Sequence, residues 1–187
     1  MNIVPRILGI ITSAANMARL FVYACLCMTS LAASAAVTSK DLQIVARTLG
    51  FLETPLTGDL NVGIVHDPDN TSSRQQAESI ADMLGSGLRV GNLQLRPVLV
   101  PIAEIANAQV DFFLMTEFIG EASASLPALL NARKLPCITT DMQQVRNGIC
   151  VIGVQSAPKV EIVVNRSAAS LNATSFSTVF RMMITEL

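Results

Sequence analysis

The stretch LNVGIVHDPDNTSSRQQAESIADMLG, residues 60–85, decides the fold. Its first six residues form a Val- and Ile-containing run bounded by Gly58-Asp59 ahead and His66-Asp67-Pro68-Asp69-Asn70 behind. That pattern predicts a buried strand ending in a turn. From residue 72 the spacing becomes helical: Ala77, Ile80, Ala81 and Leu84 fall on one face, Asp69 or Ser72 is the expected N-cap, and Gly85 stops the helix. A strand feeding an amphipathic helix is the first half of a crossover, so the rest of the chain is read for its repetition.

The alternation continues on both sides. Upstream, residues 39–52 predict a helix with Ser39 as N-cap and Leu42, Val45, Ala46 and Leu49 inward, ended by Glu53-Thr54-Pro55. Downstream, 93–100 reads as strand, 101–107 as a short helical turn and 110–116 as strand. Residues 120–133 read as a helix, with Pro127 a kink or a restart. Then come strand 136–140, a short helix capped by Asp141 and stopped by Gly148, and strands 149–154 and 159–164 joined as a hairpin through Gln155-Ser156-Ala157-Pro158. Helical segments 166–171 and 175–185 close the chain. Parallel strands need crossovers, usually helices. The expected fold is therefore a single α/β domain, its mostly parallel sheet covered by helices on both faces, with a C-terminal antiparallel hairpin.

The 187 residues, 51% hydrophobic, suffice for one domain with a core of its own. Trp is absent and aromatics make up 4%, so aliphatic side chains must fill that core. A net charge of −1 gives no electrostatic footprint for nucleic acid. Arg6 and Arg19 are the only charges before Lys40, and the apolar run after Arg19 ends in Ala33-Ser34-Ala35, a small-x-small pattern suited to signal peptidase. Residues 1–35 are read as a cleaved signal peptide, exporting a mature domain of residues 36–187 to the periplasm. A retained membrane anchor competes with this reading, although Leu20–Leu31 is shorter than the roughly 20 residues a span needs. Val22-Tyr23-Ala24-Cys25 is a poor lipoprotein box. Cleavage takes the formal net charge from −1 to −3 and removes Cys25 and Cys27.

The remaining thiols, Cys137 and Cys150, would sit in an oxidising compartment, where a disulfide is the default. One starts a predicted strand and the other the next, so neighbouring strands bring them to bridging distance if both side chains point to one face. The bridge would stabilise by about 3 kcal/mol. If they point to opposite faces they are two buried thiols acting as small hydrophobes. Zinc fails on ligand count, since the mature chain offers two Cys and one His. A Cys–His hydrolase lacks an oriented third member. Gly85-x-Gly87-x-x-x-Gly91 follows a helix and does not open one, so it reads as a C-cap and turn, not a phosphate loop. His66-Asp67 and Thr116-Glu117 lie where strands should end, the usual place for ligands in open α/β sheets, and are candidates to line a pocket there. The competing reading of His66-Asp67-Pro68-Asp69 is turn chemistry alone. No catalytic residue, metal or cofactor is expected.

The C-terminal half resembles the YfiR-like family of periplasmic proteins. The matching positions are Ile138-Thr139-Thr140-Asp141, Asn147-Gly148, Val160 to Asn165, Ala168-Ala169 and Ser175, and LNVGIVHDP agrees with the family's first strand. The resemblance implies a non-enzymatic periplasmic regulator. It would bind and repress the periplasmic portion of an inner-membrane diguanylate cyclase, restraining cyclic di-GMP signalling and biofilm growth. It adds Asn165 to His66, Asp67 and Glu117 as a partner surface, and implies homodimerisation and cysteine-linked redox response. The sequence departs from the family in its thinned aromatics, in Val160 opening its strand and in its two cysteines. An exported small-ligand binding protein is the alternative function, and a thiol-dependent enzyme using Cys137 or Cys150 a third.

Overall fold

The computed structural model describes residues 37–120 and 124–187. The expected signal peptide lies outside them. Helix α1 (Ser39–Leu49) starts one residue earlier than expected, because Thr38 and not Ser39 is its cap. Thr38 Oγ1 accepts from the Asp41 backbone N–H at 3.3 Å, and the Asp41 carboxylate accepts in return from the Thr38 backbone N–H at 2.8 Å. This closes a reciprocal capping box. The expected inward face is the observed one: Leu42, Val45, Ala46 and Leu49 are all buried.

Asp41 also binds Ser156, distant in sequence. Burial pushes its carboxyl up, but hydrogen bonds with Thr38 and Ser156 outweigh this and hold it below its ordinary value. A lowered folded-state pKa means that the unfolded chain binds more protons. The stabilisation is therefore fully present above the ordinary value of 3.8 and is lost as pH falls through the lowered folded-state value. Asp41→Asn is expected to remove about 1 kcal/mol at neutral pH and to flatten that acid limb. Urea midpoints measured from pH 7 to pH 3 check both.

The sheet comprises β1 (Gly58–His66), β2 (Leu88–Val90), β3 (Leu93–Pro101), β4 (Phe112–Met115), β5 (Cys137–Thr139), β6 (Ile152–Gln155), β7 (Glu161–Val164) and β8 (Thr185–Glu186). Their order is β2-β3-β1-β4-β5-β6-β7-β8. The five central strands β3, β1, β4, β5 and β6 run parallel. The hairpin β6–β7 is antiparallel as expected. Helix α2 (Thr71–Leu84) joins β1 towards β2 and β3, α3 (Leu126–Arg133) joins β4 to β5, and α4 (Met142–Arg146) joins β5 to β6.

Strand alternation sorts the core into two layers. Val62, Ile64, Phe112, Leu114, Ile138 and Ile152 face α1 and α2. Val65, Phe113, Met115 and Cys137 face Leu126 and Leu130 of α3. On that second face α4 packs directly on backbone: a Cβ added at Gly153 would lie 2.7 Å from both Met142 Sδ and Val145 Cγ2. The sheet is thus covered on both sides, as the alternating pattern requires.

Local departures have local causes. Asn70 caps α2 in place of Asp69 or Ser72, its Oδ1 accepting from the backbone N–H of Ser72 and Ser73 at 3.0 and 3.2 Å. Within the expected helix 120–133, α3 begins at Leu126 and Pro127 sits in its first turn, where its missing N–H costs nothing. The segment 86–92 contains the short strand β2, antiparallel to Leu93–Leu95 of β3. Beyond Leu95 that flank of β3 is the sheet's edge, and Pro97 falls on it. Near the C-terminus the expected helix 175–185 is broken: α5 (Arg166–Asn172) and the four-residue α6 (Thr178–Arg181) are followed by β8, which pairs parallel with β7. Phe51 stacks on Phe180 at 4.8 Å between centroids and fixes α6 against the end of α1.

Arg133, the last residue of α3, holds the turn after β3. Its guanidinium donates to the carbonyls of Ile105 (2.7 Å), Ala106 (2.9 Å) and Ala108 (2.7 Å). Its Cζ lies 5.8 Å from the centre of the Phe113 ring.

Candidate functional site at the strand ends

From β1 the chain winds outward to β3 and then returns to β4 on the other side of β1. This reversal is a topological switch point, and the crevice outside the carboxyl ends of β1 and β4 is where such sheets bind ligands. His66 ends β1, and Thr116-Glu117 directly follows β4. Val65 pairs with Met115, so the next residues along each strand, His66 and Asp67 beside Thr116 and Glu117, meet at this point. The two strand ends singled out in the sequence are therefore neighbours in space.

Buried polar side chains concentrate here. His66, Ser73, Thr116, Thr139 and Gln144 are all buried. Ser73 Oγ and Thr116 Oγ1 share a hydrogen bond of 2.7 Å, and Ser73 Oγ accepts from the Asp67 backbone N–H at 2.9 Å. Gln76 Oε1 accepts from the Glu117 backbone N–H at 2.7 Å, tying α2 to the end of β4. The Thr140 hydroxyl donates to Glu117 Oε1 at 3.1 Å, tying β4 to β5. His66 Nδ1 lies 3.5 Å from the Ile64 carbonyl, a local contact that orients the ring along its own strand.

Gln144 completes the cluster and carries its one anomaly. Its Nε2 donates to the Thr116 carbonyl at 2.7 Å and approaches that of Glu117 at 3.4 Å. Its Oε1 is buried and has no hydrogen-bond partner. An amide flip does not relieve this, because it would set that oxygen against the same two carbonyls. Sequence reading missed Ser73, Gln76 and Gln144. For Gln144 a signal existed: Asp141-Met-Gln-Gln144 has the spacing of a capping box, which would send the Gln side chain back to the Asp141 N–H. That N–H is taken by Thr139 Oγ1 at 3.0 Å, so Gln144 turns to β4 instead.

The other candidates lie elsewhere. Asn165 is at the opposite end of the sheet, where it caps α5 through Ala168 N–H (2.9 Å) and donates to the Val145 carbonyl (2.9 Å). Cys137 and Cys150 are also at that end, and they are joined in a disulfide with Cα atoms 4.8 Å apart. Both are buried in the layer facing α3, so their side chains do share a face, although Cys150 precedes β6 by two residues and does not begin it. In a disulfide neither sulfur is available as a nucleophilic thiolate. A groove of about 610 Å³ beside α5 and α6 is lined by Glu53, Ser170, Thr178, Arg166, Arg181 and Glu186. Its charges answer one another: Glu186 meets Arg181 at 2.8 Å and Arg166 at 3.5 Å. The hydrogen bond from Arg181 holds the Glu186 carboxyl below its ordinary value. Among the described residues no three His, Cys, Asp or Glu side chains are grouped to hold a metal ion, and no helix is long and apolar enough to cross a membrane.

No family model and no curated protein sequence matches the chain. Solved structures share its fold. A conserved domain protein from Vibrio cholerae is 11% identical with a TM-score of 0.52, covering 79% of this chain and 59% of that one. An ABC domain in complex with L-Trp from Streptococcus pneumonia is 14% identical at TM-score 0.51, covering 78% and 60%. A ligand-free, open substrate binding protein with adhesive properties from Clostridium difficile is 11% identical at TM-score 0.52, covering 80% and 59%. The chain spans about three fifths of the length of each.

Proposed function

We propose that this chain is an exported, non-catalytic binding protein that takes a small molecule in the crevice at the carboxyl ends of β1, β4 and β5. The observation that carries the reading is the concentration of buried polar side chains at the switch point, one of them an amide oxygen still lacking a donor. A core has no structural need for such a group, since an unmade buried hydrogen bond costs about 1–3 kcal/mol. A ligand donor recovers it. Two of the similar folds are a substrate binding protein and a domain in complex with L-Trp, which accords with this use of the sheet. Export is supported by the charged-then-apolar segment ending in Ala33-Ser34-Ala35 and by the Cys137–Cys150 bridge.

Native mass spectrometry on protein released from the exported fraction without unfolding tests the reading. A bound small molecule of defined mass is expected, and its occupancy should fall when Thr116→Val breaks the Ser73–Thr116 contact. Protein that retains no small molecule, and gains none from a cell extract, would sink it.

A second reading, repression of a membrane diguanylate cyclase in the manner of the YfiR-like family, is favoured by a different feature. Val179, Met182, Met183 and Leu187 are 48–77% exposed and fall within nine residues of sequence at and after α6. Exposed Met-rich surface suits docking to another protein. In a pull-down with periplasmic fragments of the host's cyclases, one fragment should be captured and Met182→Asp should release it. Capture of none would dismiss this reading and leave the first untouched.

A further inference from the structure

The groove of about 610 Å³ beside α5 and α6 falls within the range of about 300–1,000 Å³ usual for small-molecule sites. Its innermost lining is the buried Val164 and Ala169 with the half-buried ring of Phe176, which Phe180 steadies at 5.5 Å between centroids. A second hollow of about 450 Å³ shares Arg166, Ser170 and Glu186 with it and reaches Leu187. The two therefore form one continuing groove along α5, and the ligand that suits it is elongated.

The charged side chains lining the groove balance, Arg166 and Arg181 against Glu53 and Glu186. Arg181 spans both oxygens of Glu186, at 2.8 and 3.4 Å, and Arg166 Nε stands 3.5 Å from the same carboxylate. With the two arginine side chains 66% and 50% exposed, these pairs add little to stability. What they do is hold two planar donor groups and one acceptor in fixed positions at the groove wall. An anion or a cation finds no excess of opposite charge there. A zwitterion would have to part Arg181 from Glu186. An apolar molecule would take the water from polar walls and return no hydrogen bonds. A neutral polyol has none of these costs: its hydroxyls both donate and accept, so they add to the guanidinium groups and to the Ser170 and Thr178 hydroxyls while the ion pair stays intact.

We propose that this groove is a second binding site, separate from the strand-end crevice, and that it takes a neutral oligosaccharide laid along α5. One sugar ring packs its C–H face on Phe176, whose ring face carries the negative end of its quadrupole. Sugar hydroxyls accept from Arg166 and Arg181 and exchange hydrogen bonds with Ser170, and a second ring occupies the hollow towards Leu187.

Isothermal titration of the exported protein, disulfide intact, with maltotriose, cellotriose and triacetylchitotriose tests the site. Trigalacturonate and chitotriose serve as anionic and cationic counterparts of the same length. At least one neutral trisaccharide is expected to bind, about tenfold or more tighter than either charged one, with an affinity that raised salt changes less than about twofold. Ser170→Tyr, which fills the wall common to both hollows, should weaken that binding about tenfold or more. Arg166→Met, which keeps the stem and removes the donors, should do the same. Far-UV circular dichroism identifies a variant that fails to fold, and the other then decides. No binding of any neutral trisaccharide at about 10 mM overturns the proposal. So does equal or tighter binding of a charged one, or neutral binding that neither variant weakens.

Discussion

Replacing Arg133 by Ala is expected to lower the free energy of unfolding by about 3 kcal/mol, read from urea denaturation with an unchanged slope. The size follows from what one side chain does. Its guanidinium satisfies three carbonyls, those of Ile105, Ala106 and Ala108, in a turn with little regular structure of its own. Hydrogen bonds to a charged donor contribute about 1.5–3 kcal/mol each, and the part-buried ones to Ile105 and Ala108 fall at or below the low end of that range. The Ala106 contact is exposed, so water replaces it in the variant and it adds little. The ring of Phe113 beneath the guanidinium adds about 0.5–1 kcal/mol. Arg133→Lys should recover less than half, because an ammonium on a single stem cannot match the fork that reaches carbonyls on both sides. A loss below about 1 kcal/mol for Arg133→Ala would mean that the turn holds itself.

Loss of the disulfide has an effect of similar size through a different state of the chain. The double variant Cys137→Ala, Cys150→Ala should lose about 3 kcal/mol, because cross-linking residues 13 apart restricts the unfolded ensemble. Both sulfurs also lie within the packed layer facing α3, so Ala at both positions removes contacts there as well. The stability of the oxidised protein should fall towards that of the variant, short of it by the packing the sulfurs keep, and only when reductant is present during unfolding, since both cysteines are at most 1% exposed while the protein is folded. Equal urea midpoints for oxidised and reduced protein would show that the bridge adds nothing beyond packing.

The parallel core was readable because its strands are buried on both faces and therefore appear as unbroken runs such as LNVGIV and VDFFLM. Helix α2 was readable because one of its faces is solvated, which gives Ala77, Ile80 and Leu84 their period. Strands β2 and β8 are three and two residues long and only partly buried, so unlike the fully buried β5 they show neither a period nor an apolar run, which is why they escaped notice. The C-terminal segment looked helical from Ser175 to Thr185, but Phe176 and Phe180 are committed to Phe51 and the core, and the chain leaves the helix after Arg181 to pair with β7. At the candidate site, His66-Asp67 and Thr116-Glu117 were visible because a strand followed by polar residues marks where the strand ends. Ser73 and Gln144 were not. Each looks like helix-capping chemistry in sequence, and only the packing of α2 and α4 against β4 turns them inward.

Pro97 has a consequence for the behaviour of many copies together. Strand β2 shields only the first residues of β3, so the flank from Arg96 to Pro101 is an open margin to which an extended segment of a neighbouring molecule could add. Pro97 and Pro101 stand four residues apart on that strand and offer no N–H, and Arg96 adds an exposed charge in its pair with Asp59. A foreign strand would meet gaps in the row of donors and a like-charged cation on each copy. The same margin bears the exposed Leu99, the kind of side chain that would otherwise favour such pairing. The prolines thus protect against fibril-like association along the stretch of β3 that no other strand pairs among the described residues.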